Sequence, residues 1–115
     1  MDPNCLFCKI AARKIPGTIV FENERLLAFE DIAPAAPTHL LLIPREHFAS
    51  SLEVDPSRHA IVGELVQVAA QLARERGFAE QGYRLVLNTN AAAGQTVFHL
   101  HLHLLGGRTF RWPPG

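Results

Sequence analysis

Residues 99–105 read His-Leu-His-Leu-His-Leu-Leu, and this run limits the fold more tightly than any other stretch. Strict alternation over such a length marks a half-buried strand, because neighbouring side chains leave a strand on opposite faces. In a strand spanning Val97 to Leu105, three imidazoles share one face, with alternate residues roughly 6.5–7 Å apart. The leucines on the other face can close a core. The imidazole face has three readings: a solvated surface, a two- or three-histidine metal site, or chemistry in which one imidazole is the nucleophile and its neighbours orient it and move protons.

The remaining elements follow from punctuation and periodicity. Cys5 to about Arg13 has helical spacing and ends at Pro16-Gly17. Thr18 to Phe21 and Leu26 to Phe29 form a hairpin about Glu22-Asn23-Glu24. Pro34 to Pro37 breaks the chain, and His39 to Ile43 is a buried strand closed by Pro44. Asp55-Pro56 signals a helix start, Asp capping and Pro in the first turn. Ile61, Val62, Leu65, Val66, Val68, Ala69 and Leu72 give that helix a broad apolar face, and Gly77 suits its C-terminal cap. Tyr83 to Leu87 is a further strand. Five strands with one long and one short helix, lacking regular β-α alternation, predict an α+β fold on a mostly antiparallel sheet. At 115 residues, the expectation is one domain covering 1–115.

Between the last two strands runs Asn88-Thr89-Asn90-Ala91-Ala92-Ala93-Gly94-Gln95-Thr96. Gly94 lets backbone approach a ligand closely, while Asn88, Gln95 and Thr96 supply neutral hydrogen bonds. Amides and hydroxyls of such a loop can hold a phosphate without a cluster of lysines.

Charge excludes whole classes of partner. Eleven Lys+Arg balance eleven Asp+Glu, so the surplus cation that grips a nucleic-acid backbone is missing. The same holds for a polybasic membrane anchor. No stretch approaches the length of a transmembrane helix, and the N-terminus has no basic region followed by an apolar run. Cys5 and Cys8 stand three apart, too close together to staple distant parts of a fold, and read as a metal or redox pair or as two small buried hydrophobes. The expected compartment is the cytoplasm. Six histidines beside only two lysines remain the odd entry in a neutral chain.

The run from His99 to Leu105 matches the pattern His-φ-His-φ-His-φ-φ, with φ apolar. On that motif the chain resembles the histidine triad (HIT) superfamily. Supporting matches are Phe7-Cys8-Lys9-Ile10, Ile15-Pro16, Leu27-Ala28-Phe29 with Asp31-Ile32, Ala36-Pro37-Thr38-His39, Ile43-Pro44, Gly82-Tyr83-Arg84, Gly94-Gln95 and Gly106-Gly107-Arg108. The ending Trp112-Pro113-Pro114-Gly115 narrows the resemblance to the Hint-like branch of nucleotide-binding phosphoramidases. Cys-x-x-Cys points to the bacterial type within it.

The resemblance implies hydrolysis of purine nucleoside phosphoramidates, aminoacyl-adenylate-like compounds included, through a nucleotidyl-histidine intermediate. His101 would be the nucleophile, with His39 and His103 as orienters or proton donors. Thr96 stands where the family has a serine near the leaving group. The base would lie among Phe7, Ile10, Phe29, Ile32 and Leu41, positions that plain core packing also explains. Asp31 would take the ribose hydroxyls, its alternative being a turn cap before Pro34. Asn88, Gly94, Gln95, Val97 and His99 complete the expected nucleotide contacts, with Trp112 reaching a partner's site. Cys5, Cys8, His47 and His99 match a structural zinc set that catalysis does not require. His59 has no matching function and is expected at the surface. The assembly implied is a homodimer joined through the sheets and long helices, to which the wide apolar stripe of the long helix is suited. Two other functions fit the triad: dinucleoside polyphosphate hydrolysis, which the Trp-Pro-Pro-Gly ending disfavours, and nucleotide binding without catalysis.

Overall fold

The computed structural model describes residues 2–115. Five strands form one antiparallel sheet: β1 (Ile19–Glu22), β2 (Leu26–Glu30), β3 (Thr38–Pro44), β4 (Arg84–Val86) and β5 (Leu102–Gly106). Their order is β1-β2-β3-β5-β4. Two helices, α1 (Leu6–Ala11) and α2 (His59–Glu75), complete the α+β architecture.

The sheet is covered on both faces, which explains why its central strands are continuous apolar runs. Leu26 and Ala28 of β2, Leu40 and Leu42 of β3, and Leu102 and Leu104 of β5 pack with Leu65, Val68, Ala69 and Leu72 of α2. The alternate residues Leu27, Phe29, Leu41 and Ile43 pack with Phe7, Cys8 and Ile10 of α1. Period two therefore divides β2 and β3 between two cores.

Local chemistry sets the ends of α2. Asp55 Oδ1 accepts from the Ser57 N–H at 3.0 Å, and Pro56 opens a 3-10 turn that leads into the helix. At the far end Gly77 has φ +84°, Phe78 N–H donates to Ala73 O at 3.1 Å and Gly77 N–H to Arg74 O at 3.1 Å. That pair of bonds around a left-handed glycine closes the helix. The hairpin before β2 is tied to α2 by Arg25, whose Nε and Nη2 donate to Glu64 at 2.6 and 2.7 Å.

The last strand differs from its sequence expectation. Regular pairing begins at Leu102, opposite Leu42, so residues 97–101 lie outside the ladder. The next residues of β3 include Pro44, which has no N–H to donate, and its carbonyl accepts from His99 Nε2 at 2.7 Å. Leu100 N–H instead donates to Phe48 O at 2.8 Å. The alternation of side chains survives the loss of the ladder: Leu100 joins the α2 core, while His99 and His101 turn toward α1.

Candidate active site

α1 is short, and the face it covers is the imidazole face. Cys5 caps it, Sγ accepting from Cys8 N–H at 3.4 Å. Phe7 stands edge-on to Phe29, His99 and His101, with centroids 5.3, 6.2 and 5.0 Å away. The imidazoles are thus enclosed by an aromatic wall, and burial of each ring disfavours its cation.

Proton positions follow from the hydrogen bonds. His101 Nδ1 lies 2.7 Å from the carbonyl of His99; a carbonyl only accepts, so the proton sits on Nδ1 and Nε2 keeps its lone pair. His39 Nδ1 accepts from the Ala35 N–H at 3.0 Å, which puts the proton of the neutral ring on Nε2. That atom is 2.8 Å from His103 Nδ1 and 3.4 Å from Asp31 Oδ2. His103 in turn carries its proton on Nε2. The constellation thus presents one unprotonated ring nitrogen, on His101, and one N–H donor, on His103.

Burial pushes His39 and His101 below the usual histidine range, offset in both by the negative charge of Asp31 and in His101 also by the bond to the His99 carbonyl. His103 is pushed down to about 4, first by burial and then by its imidazole neighbours. The rings are neutral at pH 7, the state a nitrogen nucleophile needs.

His101 and His103 open onto a cavity of about 400 Å³. Its walls include Phe7, Ile10, Phe29, Ile32 and Leu41, and its polar rim includes Asp31, Asn88, Gly94 and Thr96, beside Val97. Asp31 also accepts from the Ala33 N–H through Oδ1 at 2.8 Å, so it caps its own turn while facing the cavity. Ile32 is fully exposed at the mouth. Leu6, Ile15, Pro16, Gly17 and Glu30 line the cavity as well; the sequence marks Pro16-Gly17 as the end of a helix and Ile15-Pro16 as a family match, but none of the five as a contact.

Two expected nucleotide contacts are placed elsewhere. His99 is fully buried with both ring nitrogens engaged, Nε2 by Pro44 and Nδ1 among the cysteines, so it has no nitrogen left for a nucleotide. Gln95 is also buried: Oε1 accepts from Asn90 N–H at 2.8 Å, and Nε2 donates to the Ala49 and Val97 carbonyls. Its amide holds the loop in shape. Trp112, expected at a partner's site, is 82% exposed and lies outside this chain's own cavity.

Behind the cavity, Cys5, Cys8, His47 and His99 gather four donor atoms within 4.8 Å of one another. His99 Nδ1 is 3.4 Å from Cys5 Sγ, 3.5 Å from Cys8 Sγ and 3.2 Å from His47 Nδ1, and Cys8 Sγ is 3.4 Å from His47 Nδ1. A tetrahedron built on zinc bonds of about 2.0–2.3 Å has edges of roughly 3.3–3.8 Å, so the donor set fits. The bond to Pro44 puts the His99 proton on Nε2 and turns the Nδ1 lone pair inward. The Asp2 carboxylate lies 3.8 Å from His47 Nε2, within ion-pair reach but too far for a hydrogen bond. His59 is exposed.

Known proteins resemble this chain in sequence and in fold. Residues 12–110 match the family model of the HIT domain. A protein of Escherichia coli strain K12 named purine nucleoside phosphoramidase is 44% identical over 108 residues, covering 94% of this chain and 91% of its own length. A maize protein named 14 kDa zinc-binding protein is 46% identical over 116 residues, covering 99% and 90%. The crystal structure of a HIT family hydrolase from Legionella pneumophila Philadelphia 1 superposes with a TM-score of 0.95 at 53% identity, over 97% of this chain and 100% of that one.

Proposed function

Because this chain belongs to the HIT domain family, we propose that it is a nucleotide hydrolase that cleaves purine nucleoside phosphoramidates through a nucleotidyl-histidine intermediate on His101. The observation that carries the reading is the His101 ring, its proton committed to the His99 carbonyl at 2.7 Å while the other nitrogen is free beside a cavity of nucleoside size. The name of the Escherichia coli relative supports the phosphorus–nitrogen bond as the target.

In the proposed reaction, His101 Nε2 donates its lone pair to the α-phosphorus while the bond to the leaving nitrogen breaks. That nitrogen leaves with the electron pair and takes a proton, which the His103 N–H supplies as solvent returns one to the His39–His103 pair, so that neither ring is left an anion. The Nδ1–H bond to the His99 carbonyl stabilises the positive imidazole of the intermediate. Water then attacks the same phosphorus, releases the nucleoside monophosphate, restores His101 with its lone pair and sheds a proton to solvent, which balances the one taken up. The base lies among Phe7, Ile10, Phe29, Ile32 and Leu41, and Asp31 accepts from the ribose hydroxyls. Thr96, on the rim, offers its hydroxyl to the leaving group, and Asn88 offers its side-chain amide to the sugar and phosphate.

Cys5, Cys8, His47 and His99 would hold a structural zinc, which supplies a cross-link between α1, the segment after β3 and the histidine run. The active form is proposed to be a homodimer, with Trp112 reaching the partner's cavity.

The test is incubation with adenosine 5′-phosphoramidate, followed by rapid quench and intact mass. Wild type is expected to release AMP and to show a transient adenylyl adduct mapping to His101. His101→Ala should form no adduct and lose at least about three orders of magnitude in kcat, as for removal of a covalent nucleophile. Binding of AMP by wild type without turnover of the phosphoramidate would leave a nucleotide-binding protein and overturn the enzyme reading.

A further inference from the structure

The Gly106-Gly107-Arg108 motif behind the histidine run has no part in the reaction above. We propose that Arg108 is a positioning residue for the His39–His103 pair, acting through the backbone of Ala35. Residues 31–37 form a loop with two prolines, which carry no N–H. Both backbone polar groups of Ala35 are nonetheless committed. Its carbonyl accepts from Arg108 Nε at 3.2 Å and Nη2 at 3.0 Å, and its N–H donates to His39 Nδ1 at 3.0 Å.

The fork of Arg108 is itself fixed. Nη1 donates to the Thr109 carbonyl at 3.1 Å, and the guanidinium lies over the Phe110 ring, 4.3 Å from its centroid. Gly107, at φ +91°, lets the backbone close on the loop from the other side. A Cβ there would stand 2.9 Å from Pro37 Cβ. A planar fork on one carbonyl restricts both the distance and the direction of that peptide, which the single ammonium of a lysine does not.

What the Ala35 N–H controls is the direction of a chain of protons. While it donates to His39 Nδ1, the His39 proton must sit on Nε2, and the 2.8 Å bond to His103 runs from His39 to His103. His103 then keeps its proton on Nε2. If Ala35 moves away, His39 can carry the proton on Nδ1 and the bond reverses: His103 Nδ1–H donates to His39 Nε2. His103 Nε2 is left bare, and the donor for the leaving group is gone. Arg108 touches neither imidazole, yet it selects which nitrogen of each is protonated.

Ring-nitrogen NMR of the nucleotide-free protein tests the inference without relying on the proposed reaction. In wild type, His39 and His103 should both show the Nε2–H tautomer. In Arg108→Met both should become mixtures, their two ring-nitrogen shifts converging, with Arg108→Lys between; exposed His59 should not change. Wild-type shift patterns at His39 and His103 in Arg108→Met, or a wild-type His39 protonated on Nδ1, would overturn the proposal. If Arg108→Met does not fold, Arg108→Lys is judged by the same criterion. The catalytic consequence rests on the function proposed above: with adenosine 5′-phosphoramidate, Arg108→Met should lose about tenfold in kcat with KM little changed, a fraction of the roughly 10²–10⁴ that a placed acid contributes. Unchanged kcat beside altered tautomers would overturn that consequence. A wild type with no turnover would overturn the function and leave the tautomer result to stand or fall by itself.

Discussion

Burial and bond direction, residue by residue, turn ordinary histidines into three different tools. His101 keeps a lone pair because a carbonyl takes its proton, His39 relays a backbone amide, and His103 ends the relay as a donor. Keeping His103 neutral has a measurable consequence for stability. Its folded value, about 4, lies below the ordinary 6.5, and His39 is lowered in the same direction by burial. The unfolded chain therefore takes up protons first. Stability is fully present above about pH 6.5 and is lost as pH falls toward 4. Thermal unfolding between pH 7 and 4 should show Tm falling through that window, with a shallower fall in His103→Asn; an equal slope would refute the assignment.

Among the elements, α1 depends most on what surrounds it. Six residues are too few to hold a helix in water by themselves. Phe7, Cys8 and Ile10 anchor it to the sheet, and the Cys5–Cys8–His47–His99 cluster pins its first turn. Cys5→Ser with Cys8→Ser, or exhaustive chelation of zinc-loaded protein, is expected to lower Tm and to speed amide exchange in residues 5–12 and 97–101. Exchange unchanged in both segments would show that the cluster fastens neither. In α2 the sensitive point is the glycine cap. Gly77 sits at φ +84°, where a side chain costs about 1–2 kcal/mol, so Gly77→Ala should lower unfolding free energy by that amount in a urea titration, with m unchanged.

The whole molecule is a sheet between two unequal covers, the long α2 and the short α1. Residues on the outer side of α2 remain uncovered, Val66 at 45% exposure, and Leu52 and Trp112 stand at 75% and 82%. With no net charge to keep copies apart, the proposed homodimer would cover some of these exposed side chains. Light scattering behind gel filtration is expected to give the mass of two chains at micromolar concentration; Val66→Glu should shift it toward one. A concentration-independent monomer would refute the dimer. Among the described residues, no helix is long and apolar enough to cross a membrane.

Much of this was legible in the one-dimensional pattern because it depends on local period and local caps. Alternation in 99–105 assigns imidazoles and leucines to opposite sides, and Asp55-Pro56 and Gly77 bracket α2. The family motif singled out most of the residues that line the cavity. What only the tertiary structure decided is which atoms meet. His99 belongs behind the cavity with the cysteines, and Gln95 spends its amide on the loop that was expected to use it for a ligand. The histidine run leaves the ladder at Leu102 because Pro44 offers a carbonyl without an amide. The proton on His39 is placed by Ala35, held by an arginine 73 residues away. Period and capping are short-range and can be read along the chain, whereas a hydrogen bond between distant segments exists only once packing has fixed both of its ends.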